Sequence, residues 1–438
     1  NKIYEKQFVH RNSLLTDLFE NIHVRTVYHL FITILIGLFV NTAVYDYLKY
    51  GKVVLGLKLI KLSFVKLHIA LLAWFGYFTC ACLAYFSFKL WANYRIFLPK
   101  LKQVHIWDLL WLVILVGYYV CSFQTAGYVV TVFELPPASS AIVVFEQTRF
   151  LMKIHSFVRS NCPKVLHHKP HDDNKLILPE FSHFLYFIFV PTLIYRDAYP
   201  KTKKINWNFV CCCFFETVAV VFFFSFVIDR FLNPSVQDFG IRKYTVNEII
   251  LCIFENTITG VLILLSNFFL LLHSWQNLFA ELTRFGDRMF YRDWWTCTDF
   301  SGYFRKWNII VQDWLYIYIY KDFHETVFHN NAILAKFAVF GISAVVHEWI
   351  VTYMLGFFFP LLFIEFLFLG SLFNFLGGAP KTAVFNILFW YALSFGAGSL
   401  ATMYAFEFYA RMNAPIENPT LKDILIPRFL TCECIDYS

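Results

Sequence analysis

The chain has 438 residues, of which 58% are hydrophobic and 15% are charged, and its formal net charge is +7. Soluble domains usually carry about 25% charged residues, so the composition excludes a soluble globular protein, and it also excludes intrinsic disorder, collagen and coiled coil. The modest positive charge does not indicate a nucleic-acid partner. The composition therefore predicts an all-α polytopic integral membrane protein.

Apolar segments long enough to cross a bilayer as a helix, about 20 residues each, recur along the chain. The nine predicted spans are 26–47, 64–90, 107–133, 138–160, 207–228, 246–273, 332–355, 357–375 and 384–409. The run at 183–195 is too short to cross and is predicted to be interfacial or re-entrant. Segment 274–330 is too polar and too rich in Trp for a span, so we predict that it is amphipathic and lies at the membrane surface.

The predicted span 138–160 differs from the others in carrying charge. Glu146, Arg149 and Lys153 recur at helical spacing and share one face. Such a face cannot look at lipid, so we expect it to lie inside the bundle or against a wet cavity.

The distribution of basic residues predicts the orientation. Lys and Arg concentrate in 159–204 and 274–330, and both stretches are cytosolic if the N terminus is cytosolic and the C terminus is luminal. Four lysines in 49–61 run against this orientation. We treat 1–25 as an N-terminal cytosolic segment and 26–438 as a single membrane domain. We find no internal repeat of the kind that transporters carry.

The pair His347-Glu348 lies inside one of the most apolar stretches of the chain. Ionisable residues at such depth are costly and usually functional. A neutral imidazole can accept a proton near pH 7, so His347 is a candidate general base, with a hydrogen-bonded core histidine as the structural alternative. Adjacent helical side chains diverge by about 100°, so Glu348 is expected to be packed or paired elsewhere. Four other acids in apolar runs are expected to be hydrogen-bond partners between helices: Glu216, Glu255, Glu365 and Glu407.

Aromatic and charged side chains alternate from 290 to 322. Trp294, Trp295, Trp307 and Trp314 could form an aromatic belt at the membrane surface. Alternatively, four cations could hold phosphates while aromatic faces stack on a base: Arg292, Arg305, Lys306 and Lys321. Asn308 could donate a hydrogen bond to an oxygen in a buried site.

Common catalytic and metal motifs are missing from the sequence. It contains no GxSxG elbow, Walker loop or HExxH motif. Cys211, Cys212 and Cys213 point to three faces of a helix and cannot chelate one metal. Cys432 and Cys434 form a C-x-C pair, which is a weak metal or redox signal. We predict no metal site.

Three motifs resemble the membrane-bound O-acyltransferase family, and within it the sterol O-acyltransferase branch. They are FYRDWWT at 290–296, WNIIVQDWLY at 307–316 and SAVVHEW at 343–349. Longer stretches, including FEQTRFLMKIHSFVR at 145–159, extend the resemblance from about residue 138 to the end of the chain.

The resemblance implies a tunnelled bundle of nine helices in the endoplasmic-reticulum membrane, assembled as a homodimer or homotetramer. It implies that long-chain acyl-CoA arrives from the cytosol and that a sterol such as cholesterol arrives from the membrane lipid. It assigns the catalytic histidine to His347 and the motif asparagine to Asn308. The acyl-CoA contacts that it implies are Phe290, Tyr291, Asp293, Trp294, Trp295, Tyr303, Arg305, Trp307, Tyr320 and Ser343. Acyl-CoA is a co-substrate, and no cofactor is implied.

Three positions depart from the pattern of the branch. Thr296 replaces the usual Asn at the end of the FYxDWWN motif, and Gln312 stands where close relatives carry His. Ala414 stands where relatives carry a Cys, so a bridge from Cys432 to that position cannot form.

The resemblance implies esterification of a sterol 3-hydroxyl, giving a steryl ester and free CoA, with His347 removing the proton. One alternative is an acyltransferase that acts on diacylglycerol or a long-chain alcohol, although Asp293 favours the sterol branch. An alternative of another class is a proton-coupled transporter that uses His347 and Glu146. A third is an inactive relative that only binds sterol.

Overall fold

The computed structural model describes residues 6–53, 57–98, 100–168, 176–370, 379–417 and 420–436. Nearly all of the secondary structure is helical. The strands in these ranges, β1 (Tyr244–Thr245) and β2 (Ile435–Asp436), form one parallel pair. The prediction of an all-α protein is therefore confirmed.

The α-helices of the described residues differ widely in length. In chain order they are α1 (Leu14–Leu18), α2 (Ile22–Tyr50), α3 (Leu57–Ser63), α4 (Leu67–Phe97), α5 (Leu101–Val132), α6 (Pro137–Leu166), α7 (Phe181–Phe189), α8 (Trp207–Val227), α9 (Asn233–Val236), α10 (Val246–Glu255), α11 (Thr257–Asn267), α12 (Trp275–Leu282), α13 (Phe300–Lys306), α14 (Ile309–Trp314), α15 (Ala332–Leu355), α16 (Leu361–Ile364), α17 (Ala383–Asn413), α18 (Leu421–Leu425) and α19 (Arg428–Thr431). The described ranges also contain five π-helical segments and one 3₁₀ turn, Trp294–Thr296. The π-helical segments are Ile228–Leu232, Phe268–Ser274, Leu315–Tyr320, Phe323–Val327 and Glu365–Gly370.

Seven helices in the described part of the chain are long and apolar enough to cross a membrane. They are α2, α4, α5, the run from α8 to α9 (Trp207–Val236), the run from α11 to α12 (Thr257–Leu282), α15 and α17. The chain is therefore a multi-pass membrane protein, as predicted, whereas the predicted count of nine spans is not confirmed. The apolar side chains of α5 face outwards, as expected for a helix in contact with lipid.

Helix α6 corresponds to the charged segment 138–160 and, as predicted, turns its charges inwards. The buried Nζ of Lys153 donates to the carbonyls of Phe187 and Val190 at 2.5 and 2.7 Å, and Arg149 donates to that of Ile188 at 2.8 Å. These carbonyls lie at the C-terminal end of α7, where a helix has no backbone donors of its own. With nine residues, α7 is too short to cross, as its sequence predicted.

The predicted span 246–273 starts too early, because its first third does not belong to a crossing helix. The structure divides this stretch at Asn256 into α10 and α11, and the crossing segment begins at Thr257. The Nδ2 atom of Asn256 donates to the carbonyl of Cys252 at 2.8 Å and to the hydroxyl of Ser235 at 3.0 Å. An amide side chain that bonds the backbone locally competes with helix continuation.

The predicted span 357–375 is only partly described, because 371–375 lie outside the described residues. The described part consists of α16 and the π-helical segment Glu365–Gly370.

The C-terminal residues close one end of the bundle around the buried carboxylate of Glu407. It accepts hydrogen bonds from Arg411 Nε at 2.6 Å and from the backbone N–H groups of Arg428 and Phe429 at 2.8 and 2.7 Å. The C-x-C pair is joined as a disulfide between Cys432 and Cys434. In the described residues we find no group of three or more potential metal ligands.

The N-terminal residues before α2, which the sequence analysis separates from the membrane domain, pack against it. Arg11 bonds the carboxylate of Asp287 at 2.6 Å, and its backbone N–H donates to Gly286 O at 2.9 Å. The buried Lys6 forms an ion pair of 2.7 Å with Asp313 on α14.

Helices α11 and α17 cross at a pair of glycines. A Cβ atom at Gly260 would lie 2.2 Å from Gly398 N, and one at Gly398 would lie 2.5 Å from Asn256 O. Only hydrogen side chains allow the two backbones to approach this closely.

We therefore expect Gly260→Ala to lower the free energy of unfolding by at least about 1–3 kcal/mol, because the clash is with rigid backbone. The matched control is Gly117→Ala on α5, where no atom lies within 4 Å of the added Cβ. It should be neutral or stabilising by up to about 1 kcal/mol. Thermal unfolding of the purified protein in detergent measures both, and equal midpoints would contradict the close crossing.

Candidate active site

The imidazole of His347 lies near the middle of α15 and is held by its own helix. Its Nδ1 atom is 2.7 Å from the backbone carbonyl of Ser343 and 3.3 Å from the Ser343 hydroxyl. A carbonyl oxygen only accepts hydrogen bonds, so Nδ1 carries the hydrogen. Among the described residues no group bonds Nε2. The neutral ring therefore keeps the Nε2 lone pair free to accept a proton.

A chain of aromatic contacts links His347 to α13, the helix that follows the FYRDWWT motif. Phe366 stacks on the imidazole with ring centroids 4.7 Å apart, and Phe304 of α13 lies 5.7 Å from Phe366 and 6.1 Å from Phe340 of α15. We call Phe304, Phe340, Ser343, His347 and Phe366 the His347 cluster. Each of the five residues is only half-buried, so the ring is not sealed inside a fully packed core.

Glu348 faces away from the His347 cluster, as the angular spacing predicts. Its buried carboxylate accepts hydrogen bonds from the Phe363 backbone at 3.0 Å and from the Tyr404 hydroxyl at 3.2 Å. Glu348 therefore joins α15 to α16 and α17, and it does not share a substrate with His347.

Asn308 caps the N terminus of α14, four residues after Phe304. Its Oδ1 atom accepts a hydrogen bond from Val311 N at 3.2 Å, and this bond fixes which end of the amide is the oxygen. The Nδ2 atom bonds no group in the described part of the chain, and the residue is half-buried. The amide N–H groups are therefore free to donate to a ligand oxygen.

The predicted acyl-CoA contacts differ widely in exposure. Phe290, Tyr291, Trp294 and Tyr303 are buried, Asp293, Trp295, Trp307, Tyr320 and Ser343 are half-buried, and Arg305 is exposed. Ser343 lies within the His347 cluster, whereas Tyr320 stacks with Tyr316 and His324 further along the chain. Segment 274–330, predicted to be amphipathic and to lie outside the spans, overlaps the crossing run Thr257–Leu282 at its start, so that prediction is wrong for 274–282. From 283 onwards the segment forms short helices and turns.

Trp294 is the centre of a packed aromatic group. Its ring is 1% exposed and lies between 4.8 and 5.9 Å from the rings of five neighbours. They are Phe268, Trp295, Tyr303, Trp307 and Trp390. The two tryptophans of the WW pair therefore differ in burial, since Trp294 is buried and Trp295 is half-buried.

Hydrogen bonds set the shape of the FYRDWWT loop. Lys306 Nζ lies 3.0 Å from the carboxylate of Asp293, and the Thr296 hydroxyl donates to the same carboxylate at 2.9 Å. Partial burial raises the pKa of Asp293, but these two bonds outweigh it, so its pKa lies below the usual value. Thr296 thus has a definite structural partner in the position where the branch usually has Asn.

Tyr291 anchors the loop to the N-terminal residues and to the π-helical segment Phe268–Ser274. Its hydroxyl lies 2.6 Å from His273 Nδ1 and accepts a longer bond from Leu15 N at 3.4 Å. Burial raises the pKa of Tyr291 and of Tyr303, so both phenols stay protonated at neutral pH.

The four predicted phosphate-binding cations lie at the edge of this region. Arg292 and Arg305 are exposed, and Lys306 and Lys321 are half-buried. Arg305 donates to the Ser301 hydroxyl at 2.8 Å, and Lys306 is engaged by Asp293. The two exposed guanidinium groups are the most accessible to an anionic ligand.

Sequence reasoning missed several residues that shape the site. Phe304 and Phe366 lie in aromatic-rich runs where nothing separates a site residue from a packing residue. Lys6 and Arg11 hold Asp313 and Asp287, on either side of the FYRDWWT loop, across nearly 300 residues of sequence. The local sequence carries no signal for contacts of that range.

Two of the four acids expected to bridge helices do not do so. Glu216 accepts from the Ser274 hydroxyl at 2.8 Å, and Glu407 has the partners given above. Glu255 is exposed, and the buried Oε2 atom of Glu365 has no hydrogen-bond partner. These acids were identified because they lie in apolar runs of the sequence, and hydropathy does not predict which residues they contact.

We expect Trp294→Ala to lower the free energy of unfolding by about 3–5 kcal/mol even without acyl-CoA, because it empties a packed aromatic group. The matched control is Trp207→Ala, which removes a ring that is 62% exposed and should change stability by less than about 0.5 kcal/mol. Thermal unfolding without ligand distinguishes them. Equal stability of the two variants would show that Trp294 is not a packing residue.

Comparison with known proteins identifies a matching family and similar relatives. The model of the family "MBOAT, membrane-bound O-acyltransferase family" matches residues 59–406. Sterol O-acyltransferase 1 of Mus musculus is 41% identical over 436 residues, which cover 98% of this chain and 80% of that protein. Sterol O-acyltransferase 2 of Homo sapiens is 37% identical over 433 residues, with coverage of 98% and 80%.

Proposed function

The chain belongs to the membrane-bound O-acyltransferase family, as its motifs predicted, and from this premise we propose that it esterifies the 3-hydroxyl group of a sterol such as cholesterol with a long-chain acyl-CoA. The products are a steryl ester and free CoA. The similarity to sterol O-acyltransferases 1 and 2 supports the substrate class. The observation that carries the chemistry is the free Nε2 lone pair of His347.

His347 acts as the general base in this proposal. Nε2 takes the hydroxyl proton as the sterol oxygen attacks the thioester carbonyl carbon, which forms the new C–O bond. The tetrahedral intermediate then expels the CoA sulfur as the C–S bond breaks, and the imidazolium returns the proton to it. The ring ends neutral, and neither a metal nor a prosthetic group takes part.

Asn308 stabilises the charge that develops on the thioester oxygen. The capping bond from Val311 N holds Oδ1 and leaves the Nδ2 hydrogens for a ligand. A donor of this kind is worth about 3–4 kcal/mol of transition-state stabilisation in other enzymes. The contacts Phe304–Phe366 and Phe366–His347, which link α13 to His347, support this role.

Acyl-CoA binds from the side of the FYRDWWT region. Arg292 and Arg305 supply exposed positive charge for its phosphates, and the half-buried Trp295 and Trp307 supply aromatic surface. Tyr320 and the buried residues of the motif remain predicted contacts of acyl-CoA. In this structure their side chains contact other side chains of the protein.

The proposal extends to location and assembly. The family resemblance and the cationic stretches support a multi-pass enzyme of the endoplasmic-reticulum membrane, with the N terminus cytosolic and the C terminus luminal. The same resemblance supports a homodimer or homotetramer.

We expect His347→Ala to lower kcat by roughly 10²–10⁴-fold and Asn308→Ala by roughly 10²–10³-fold, because each removes a group that acts in the transition state. The assay uses purified protein with oleoyl-CoA and cholesterol, with diacylglycerol as the competing acceptor. The matched control is His105→Ala, which removes an exposed imidazole on α5 and should leave turnover unchanged.

Two results would contradict the proposal. Retained turnover in His347→Ala would remove it as the base, and a preference for diacylglycerol would overturn the substrate class. Size-exclusion profiles of the variants check that loss of activity does not reflect loss of folding.

A further inference from the structure

We propose that Glu365 determines acceptor specificity by accepting a hydrogen bond from a second hydroxyl group of the sterol, one carried on the ring system close to the reacting 3-hydroxyl. This inference rests on the proposed function, since it assigns a preferred acceptor to the same site.

The first observation is an unsatisfied oxygen. The Oε2 atom of Glu365 is buried and has no hydrogen-bond partner. Leaving a buried carboxyl oxygen unpaired is costly, so native structures usually pair such atoms. The other buried or half-buried acids discussed above follow that rule: Glu216 bonds Ser274, Glu348 bonds Phe363 and Tyr404, and Glu407 bonds Arg411. Glu365 stands apart from them.

The second observation is the room made for this side chain. A Cβ atom at Gly396 of α17 would lie 3.2 Å from Glu365 Oε1, closer than an ordinary contact. The carboxyl group therefore points at α17, across a position where no side chain intervenes.

The third observation is the distance from the reaction centre. Glu365 directly precedes Phe366, whose ring stacks on His347 at 4.7 Å. Consecutive Cα atoms are about 3.8 Å apart, so the carboxyl lies one residue away from the His347 cluster. Glu365, Gly396 and Tyr404 are half-buried, as are the residues of the His347 cluster.

These observations limit the ligand. Successive side chains of a helical segment diverge by about 100°, so Glu365 and Phe366 face different directions and the carboxyl does not share the hydroxyl that His347 deprotonates. An uncharged donor suits a carboxyl group in apolar surroundings, and the acceptor substrate of this enzyme class offers hydroxyl groups. Because Glu365 directly precedes Phe366, which stacks on His347, the proposal concerns a hydroxyl on the sterol rings and not one at the end of the sterol side chain.

The test is a competition in one reaction mixture. Purified enzyme receives oleoyl-CoA with equimolar cholesterol and 7-hydroxycholesterol, and the ratio of the two steryl esters is measured. This ratio does not depend on the fraction of folded enzyme, so it stays informative if a variant folds poorly. We expect the wild type to favour the dihydroxy sterol by roughly tenfold to hundredfold, the effect of one hydrogen bond to a carboxyl group, and to acylate only its 3-hydroxyl.

Two variants should remove this preference. Glu365→Leu deletes the acceptor, and Gly396→Ala displaces it, so both should bring the ester ratio close to one. Glu255→Leu, which makes the same replacement at an exposed site, should keep the wild-type ratio. A parallel competition of cholesterol with 25-hydroxycholesterol, whose second hydroxyl lies on the side chain, should give the same ratio in wild type and Glu365→Leu.

The outcomes separate the two proposals. Steryl ester formation with a wild-type ratio near one, or with a ratio that Glu365→Leu leaves unchanged, overturns the role of Glu365 and leaves the sterol esterification standing. A ratio that responds equally to the side-chain hydroxyl also overturns it. A wild-type enzyme that forms no steryl ester refutes the proposed function, and the role of Glu365 falls with it.

Discussion

The chemistry available to this protein depends on one hydrogen bond within a membrane helix. Because Nδ1 of His347 donates to the carbonyl of Ser343 one turn earlier, the imidazole has a fixed tautomer and a fixed direction. Its stacking on Phe366 limits rotation further. The bond costs the helix nothing, since a carbonyl oxygen has a second lone pair beyond the one used by the helix. The hydrogen bond and the stacking therefore fix the direction of the Nε2 lone pair.

Charged side chains with hydrogen-bond partners connect several other elements of the bundle. Lys153 and Arg149 complete the C-terminal end of α7, a helix too short to cross the membrane, and Glu407 gathers the C-terminal residues. In hydrocarbon, each backbone group without a partner costs several kcal/mol, so irregular backbone survives only where side chains replace the missing bonds. Among the acids described above, Glu365 differs in having a buried oxygen without a partner, and it directly precedes Phe366, which stacks on His347.

The FYRDWWT loop has almost no regular secondary structure, and side-chain contacts hold it in place. Trp294 is surrounded by rings, Asp293 is bonded to Lys306 and Thr296, and Tyr291 reaches His273. The N-terminal residues add Arg11 and Lys6 on either side. Much of the motif therefore positions the few groups that remain accessible, among them Asn308 and the exposed guanidinium groups.

The sequence by itself determined the fold class, the membrane setting, the family and the place of His347, because apolar runs, buried charge and long motifs are local features. It placed the inward charged face of α6, and angular spacing alone separated Glu348 from His347. It misjudged 246–273, because the apolar run continues through Asn256, where the structure ends one helix and begins the next. Only the tertiary structure decided that Trp294 is buried, that Phe366 covers the imidazole and that Glu365 lacks the partner expected for it. Each of those facts depends on which segments the fold brings together, and hydropathy indicates how deeply a residue is buried but not which residues it contacts.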